Sequence, residues 1–266
     1  MKLKATLTIL AGLLTASCAT AQTADEILER NFAALGGRAK LRAVRTLRLE
    51  ATQVTGDKSV PLKTYWKRPD KLRIESAVDG LDVLQVFDGE KGWYTYSALP
   101  GFGVEYFTDL PLQALQAQAD LLEGPTFDYA AKGHRVELIG KEKLNGGEAW
   151  RLLLTTAKGE VRTLWFDTNS MLQIREERKE LREGLEVTIE STLSDFRPVG
   201  GILFAHRVEE RMQALGKAGG ETSVEKKKAI SIFTIQKLEL DADVPDSLFN
   251  LPAPAEPSQS AEPPPV

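Results

Sequence analysis

The chain of 266 residues carries 34 lysines and arginines against 38 acidic residues, a formal net charge of −4. An acidic balance with no basic patch argues against nucleic acid as a partner, because phosphate backbones are bound by clustered cations. Its one cysteine, Cys18, excludes an intramolecular disulfide. Zinc–thiolate sites and thiol catalysis are excluded from the mature domain as well, so a buried core has to supply the stability.

The first stretch is not part of a fold. Lys2 and Lys4 precede an apolar run, Ala5 to Leu14, too short to span a bilayer, and small residues follow. That is the pattern of an export signal, which takes the mature chain out of the cytoplasm. Two processing sites compete. Ala19-Thr20-Ala21 before Gln22 meets the A-x-A rule, whereas Thr15-Ala16-Ser17-Cys18 approximates a lipobox with threonine in place of the commoner leucine. The first releases a soluble chain; the second leaves it membrane-anchored through an acylated Cys18. The better match predicts that residues 1–21 are removed, that 22–252 form the folded domain, and that 253–266, rich in proline, form an extended tail.

The first predicted element of the domain is a helix over Ala24–Leu35. Ile27, Leu28, Phe32 and Leu35 share one face, Asp25 and Glu26 sit in the first turn, and Gly36-Gly37 stops it. Alternation then takes over. Leu47, Leu49 and Ala51 alternate with polar neighbours, as do Leu72 and Ile74 with Lys71, Arg73 and Glu75. The same period returns through Asp82–Phe87, Trp93–Tyr96, Val136–Ile139, Ala149–Thr155, Val161–Asp167, Met171–Glu176, Leu185–Leu193, Ile202–Glu209 and Ile230–Leu240. Turn signals such as Asp88-Gly89, Asn145-Gly146-Gly147 and Gly200-Gly201 separate them. A second helix is predicted over Asp109–Leu122, with Leu112, Leu115, Ala119 and Leu122 on one stripe. The expected fold is therefore mainly β: about eleven antiparallel strands in a sheet that curls, with two or three helices laid across its mouth.

Catalytic chemistry finds little purchase in this sequence. His134 and His206, the two histidines, each stand beside an arginine, which disfavours a metal cation. Asp241, Asp243 and Asp246 lack the glycine and the closing glutamate of a calcium loop. Neither a nucleophile elbow, nor a phosphate loop, nor a dinucleotide fingerprint occurs. The mixed run Glu176-Glu177-Arg178-Lys179-Glu180 reads as a solvated face. The expectation is a protein that is not an enzyme and uses no cofactor or metal.

The order of short motifs is more informative than any one of them. Tyr65-Trp66-Lys67-Arg68-Pro69 leads to Lys71-Leu72-Arg73-Ile74, and Phe87-Asp88-Gly89-Glu90-Lys91-Gly92-Trp93 follows. Trp165-Phe166-Asp167, Ser194-Asp195-Phe196-Arg197 and the closing Val244-Pro245-Asp246-Ser247-Leu248-Phe249 complete the series. From Ala24 to Pro252 this resembles the LolA/LolB-like periplasmic carriers that sort lipoproteins to the outer membrane. The resemblance implies an incomplete antiparallel barrel with a helical lid over an apolar cavity for acyl chains. It further implies an inner-membrane donor complex, an outer-membrane acceptor and a monomeric carrier. It also implies that Arg68 holds the lid shut by hydrogen bonding.

On that footing Trp66, Leu84, Trp93, Leu152 and Trp165 are expected to line the cavity, although apolar strand faces look the same in a packed core. Leu99 and Phe102, in the Gly/Pro-rich stretch Leu99–Val104, are expected to contact a membrane or a partner, or else to plug the cavity. The expected function is a periplasmic carrier of acylated lipoproteins or lipids; the alternative is an envelope-stress sensor or assembly factor that binds a partner protein with the same shell. Mass spectrometry of the exported protein should find Gln22, or its cyclised form, at the N-terminus. Recovery only from membranes with lipid on Cys18 is the contrary outcome.

Overall fold

The computed structural model describes residues 22–96, 103–120, 122–144, 146–182, 185–215 and 228–251. Cys18, Leu99, Phe102 and the tail lie outside these residues. Helices α1 (Ala24–Leu35) and α2 (Arg38–Ala43) come first. Five strands follow: β1 (Thr46–Thr55), β2 (Lys58–Lys67), β3 (Lys71–Val78), β4 (Leu81–Phe87) and β5 (Gly92–Tyr96). After the short β6 (Glu105–Tyr106) and helix α3 (Asp109–Ala119) come β7 (Arg135–Leu144), β8 (Gly147–Thr155), β9 (Val161–Asp167) and β10 (Gln173–Arg182). Three long strands, β11 (Leu185–Val199), β12 (Ile202–Leu215) and β13 (Lys228–Leu240), and a 3-10 turn at Asp246–Phe249 close the chain.

All thirteen strands form one antiparallel sheet in the order β6-β5-β4-β3-β2-β1-β13-β12-β11-β10-β9-β8-β7. It is two meanders joined where β1 pairs with β13, and it stays open because β6 and β7 stand at opposite ends. Beyond the eleven segments are the two-residue β6 and β2, of which the sequence marks only the strand-like end at Tyr65-Trp66-Lys67. Pro61 obscures its first half. The fold tolerates it because β3 pairs with β2 only from Leu62 onward, so no ladder bond is lost on that side.

Period-2 alternation gives the sheet two faces, and both are covered in part. On one face α1, α2 and α3 pack into the main core with Leu47, Trp66, Leu72, Leu152, Leu164 and Phe166. On the other, the C-terminal segment lays Val244 and Phe249 over Val86 and Trp93. That segment is fastened by Lys67 and Lys71 to Asp246 at 3.1 and 2.8 Å and by Arg73 to the Leu248 carbonyl at 2.8 Å.

Helix α1 matches its predicted span and carries a full capping box between Thr23 and Glu26. Gly36 ends it at φ 120°, so near the β11–β12 turn that a β-carbon would lie 2.3 Å from the Gly201 carbonyl oxygen. Helix α3 ends at Ala119, and only Leu115 and Ala119 within it are fully buried. It rests on β5 at Gly92, where a β-carbon would come within 2.8 Å of Leu112 and 3.0 Å of Leu115. Gly92→Val, made at an ordinary backbone conformation, should therefore push α3 off the sheet. The expected loss is about 1–3 kcal/mol in denaturant unfolding, with earlier proteolysis within α3; unchanged stability would show that the contact is slack.

Candidate functional site

The helix-covered face divides along the sheet. On β1–β5, residues facing the helices fall into three cross-strand rows: Leu47-Trp66-Leu72-Phe87-Gly92, Leu49-Thr64-Ile74-Gln85-Tyr94 and Ala51-Leu62-Ser76-Val83-Tyr96. None of the fifteen positions is charged. Across the sheet, on the same face of β8–β12, the rows read Leu152-Leu164-Glu176-Ser191-Glu210 and Leu154-Arg162-Arg178-Ile189-Met212. Here Arg162 meets Glu176 at 3.1 Å, and Arg178 meets Glu180 at 2.9 Å and Glu210 at 3.5 Å. The run read as a solvated face is thus a strand whose even-numbered members form a half-buried ionic ladder.

A lid made of α3, residue 120 and residues 122–134 covers this face. Its first end sits on Gly92, and Gln113 accepts a 3.4 Å hydrogen bond from Lys158 in the β8–β9 turn, so α3 reaches from one arm of the open sheet to the other. The Trp66 indole N–H donates to the Ala119 carbonyl at the end of α3. Phe127, within the lid, is fully buried, in edge contact with Phe32 of α1 at 5.1 Å.

Polar clasps complete the closure. Arg68, at the β2–β3 join, donates from Nε to the Val44 carbonyl at 2.8 Å, from Nη2 to the Leu41 carbonyl at 3.0 Å and from Nη1 to Glu123 at 2.8 Å. One guanidinium therefore ties β2, the end of α2 and the lid. Arg38 and Arg42 both pair with Asp128, and the Tyr129 hydroxyl donates to Asp25 at 2.7 Å. Within the lid, Lys132 binds Asp120 at 2.6 Å and the Gly124 carbonyl at 2.8 Å. Burial of Asp120 raises its pKa even so. His134 accepts from the Ala157 N–H through Nδ1, and burial lowers its pKa, with Lys132 adding to the effect.

The structure does not bring the five expected cavity residues together. Trp66 and Leu152 lie on the helix-covered face, both fully buried in the packed core. Trp93 and Leu84 lie on the other face with the C-terminal segment. Trp165 also faces away from the helices, donating from its indole to Glu142 at 3.1 Å beneath the Arg175 guanidinium. Each of the three is one residue out of phase with a helix-facing neighbour, which alternation alone does not reveal when both faces are covered. Arg68 stands at the β2–β3 join and reaches the segment after α3. Its acidic partner, Glu123, was missed, because the residues after α3 carry no periodic signal.

A cleft of about 590 Å3 opens along β1–β4, lined by the charged Glu50, Lys63, Arg73, Glu75 and Asp82 together with apolar residues that include Pro61, Ala77 and Leu84. Among the described residues no three His, Cys, Asp or Glu side chains gather as a metal site requires.

No protein-family model matches the chain, and no curated protein matches it in sequence. Solved structures share its fold. A DUF1329 family protein from Desulfovibrio piger is 16% identical, with a TM-score of 0.54 over 85% of this chain and 96% of that one. A LolA superfamily protein from Nitrosomonas europaea gives 15% identity and a TM-score of 0.53 over 86% and 98%. A proposed outer membrane lipoprotein-sorting protein domain from Vibrio parahaemolyticus gives 12%, 0.52, 85% and 95%. The chain shares its fold with these structures, an open antiparallel sheet with helices on one face.

Arg68 and Glu123 are both mostly buried, with side chains 19% and 23% exposed. Replacing Arg68 by leucine leaves a carboxylate and two carbonyls without donors. The expected loss is about 2–4 kcal/mol in denaturant unfolding, and Glu123→Gln should lose less because the amide oxygen still accepts. Arg68→Leu at wild-type stability would reduce Arg68 to a rim charge.

Proposed function

We propose that the protein is a periplasmic carrier or binder of acyl-bearing lipids or lipoproteins, with its cargo held between the lid and the β1–β5 arm. The observation that carries this reading is the absence of charge from the three helix-facing rows of that arm. An alkyl chain gains about 0.8 kcal/mol for each methylene it buries, and a charged wall would forfeit that gain through desolvation. The fold shared with a LolA superfamily protein supports the same reading.

Cargo and lid compete for one surface. In the closed arrangement Trp66, Leu72, Phe87, Leu115 and Ala119 share a core, so an acyl chain enters only as α3 lifts. The clasps at Arg68 and Asp128 set the free energy of lifting, and a receiver with higher affinity for the chain draws it out as the lid recloses. The cycle uses no cofactor and makes no covalent bond.

A fluorescent fatty-acid analogue should bind the purified protein saturably, and Arg68→Leu should bind it more tightly and pass it more slowly to acceptor vesicles. Absence of saturable binding by both proteins would mean that the helix-covered face is a permanently packed core. Equal transfer by two folded proteins that both bind would leave the carrier standing and remove Arg68 from its gate.

A further inference from the structure

Although the chain as a whole is acidic, one short segment beside the lid carries charge of a single sign, with Glu29, Asp128 and Asp241 as its acidic neighbours. From Arg38 to Arg45, α2 and the two residues after it hold Arg38, Lys40, Arg42 and Arg45 and no carboxylate. Arg38 turns inward, stacking over Phe32 at 4.0 Å and Phe127 at 4.6 Å and pairing with Glu29 at 2.7 Å. The other three are exposed. Arg42 has one carboxylate partner, Asp128. Among the described residues Lys40 has none and makes only a 3.4 Å contact with the Gly201 carbonyl, and the Arg45 guanidinium forms no ion pair. The absence of a basic patch, inferred from the overall charge, therefore does not hold locally.

A structural role does not account for these cations. Basic side chains often serve a helix by capping its last carbonyls, but here the Leu41 and Val44 carbonyls are already taken by Arg68. Nor does the face resemble a protein interface. Its exposed apolar residues are Ala39 and Ala43, whereas protein partners are usually anchored by aromatic or large aliphatic side chains. A short row of cations on long side chains, without an anchor, suits a laterally fluid anionic surface.

We propose that this face of α2 docks on an anionic bilayer. Each lysine or arginine near such a surface contributes roughly 1 kcal/mol, and the attraction fades beyond a Debye length. With three exposed cations against an acidic body, the contact is weak, local and sensitive to salt. Its position gives it a consequence for the lid. A lipid phosphate that engages Arg42 draws it from Asp128, which belongs to the segment after α3, so docking loosens one clasp at the surface where cargo is exchanged. Docking itself does not depend on what the cargo is.

The test is co-sedimentation of the full processed chain with vesicles of phosphatidylcholine alone or mixed with phosphatidylglycerol, at low and high salt. The expected result is sedimentation with the anionic vesicles only, abolished by salt. The Lys40→Glu/Arg45→Glu double variant, shown to be folded by its thermal transition, should bind more than about tenfold more weakly. Lys58→Glu, at the β1–β2 hairpin tip where Lys58 pairs with Asp79, should bind as wild type. Equal sedimentation with both vesicle types, or a double variant indistinguishable from wild type, overturns the proposal. Binding to soluble polyglutamate without binding to anionic vesicles overturns it too and assigns the face to an acidic protein. A chain that docks but fails to bind the fatty-acid probe would retain this inference while losing the carrier reading.

Discussion

The Arg68 guanidinium is the point on which the lid depends. Its donors run to two separate parts of the chain: the Leu41 and Val44 carbonyls at the end of α2, and Glu123 in the segment after α3. An arginine can do this because its donors are fixed in a plane and always charged; a lysine offers one rotating point charge instead. Burial raises the stakes, since each acceptor would otherwise be cut off from water without a partner. The rest of the closure follows from where that plane sits. Trp66, two residues earlier at the end of β2, donates to the Ala119 carbonyl that closes α3, and the Arg68 guanidinium lies 5.3 Å from its ring.

Such a lid is held in two ways that respond differently to surroundings. Phe127, Leu115 and Ala119 are buried apolar anchors whose contribution is not screened away by salt. The clasps through Asp128 and Asp25 are exposed at the rim, where solvent screening leaves them weak individually. Apolar anchors alone would make the lid a permanent part of the core, and rim clasps alone would not exclude water. Together they give a cover that is closed by packing and adjustable at its edge, as the proposed exchange of an apolar cargo requires.

Much of this architecture is legible in the sequence, and what is not has identifiable causes. Helix α1 is readable because its cap, its apolar stripe and its glycine stop all agree. The strands are readable as strands, but their faces are not. Trp66 and Trp93 look alike in the alternation, yet one faces the helices and the other faces the C-terminal segment, since both sides of the sheet carry buried apolar rows. The charged run of β10 misleads for a related reason. Its even-numbered residues find opposite charges on β9 and β12, neighbours that sequence spacing does not show. The lid's polar partners are set by tertiary placement alone, so Glu123 and Asp128 leave no local trace.

The two arms of the sheet also suggest why so large a cover is useful. A uniformly apolar face would collapse on the helices, leaving no reason for a ligand to displace them. A uniformly charged one could not accept an alkyl chain. Here the ladder of Arg162, Glu176, Arg178 and Glu210 stiffens one arm with fixed, mutually satisfied charges, while the uncharged rows of the other are free to exchange one apolar partner for another. Because α3 spans both arms, its departure would uncover the uncharged arm for cargo and leave the ionic arm intact as a frame. A lid can then move without the sheet losing its shape, since the interactions that order β9–β12 do not include the ones that close the mouth.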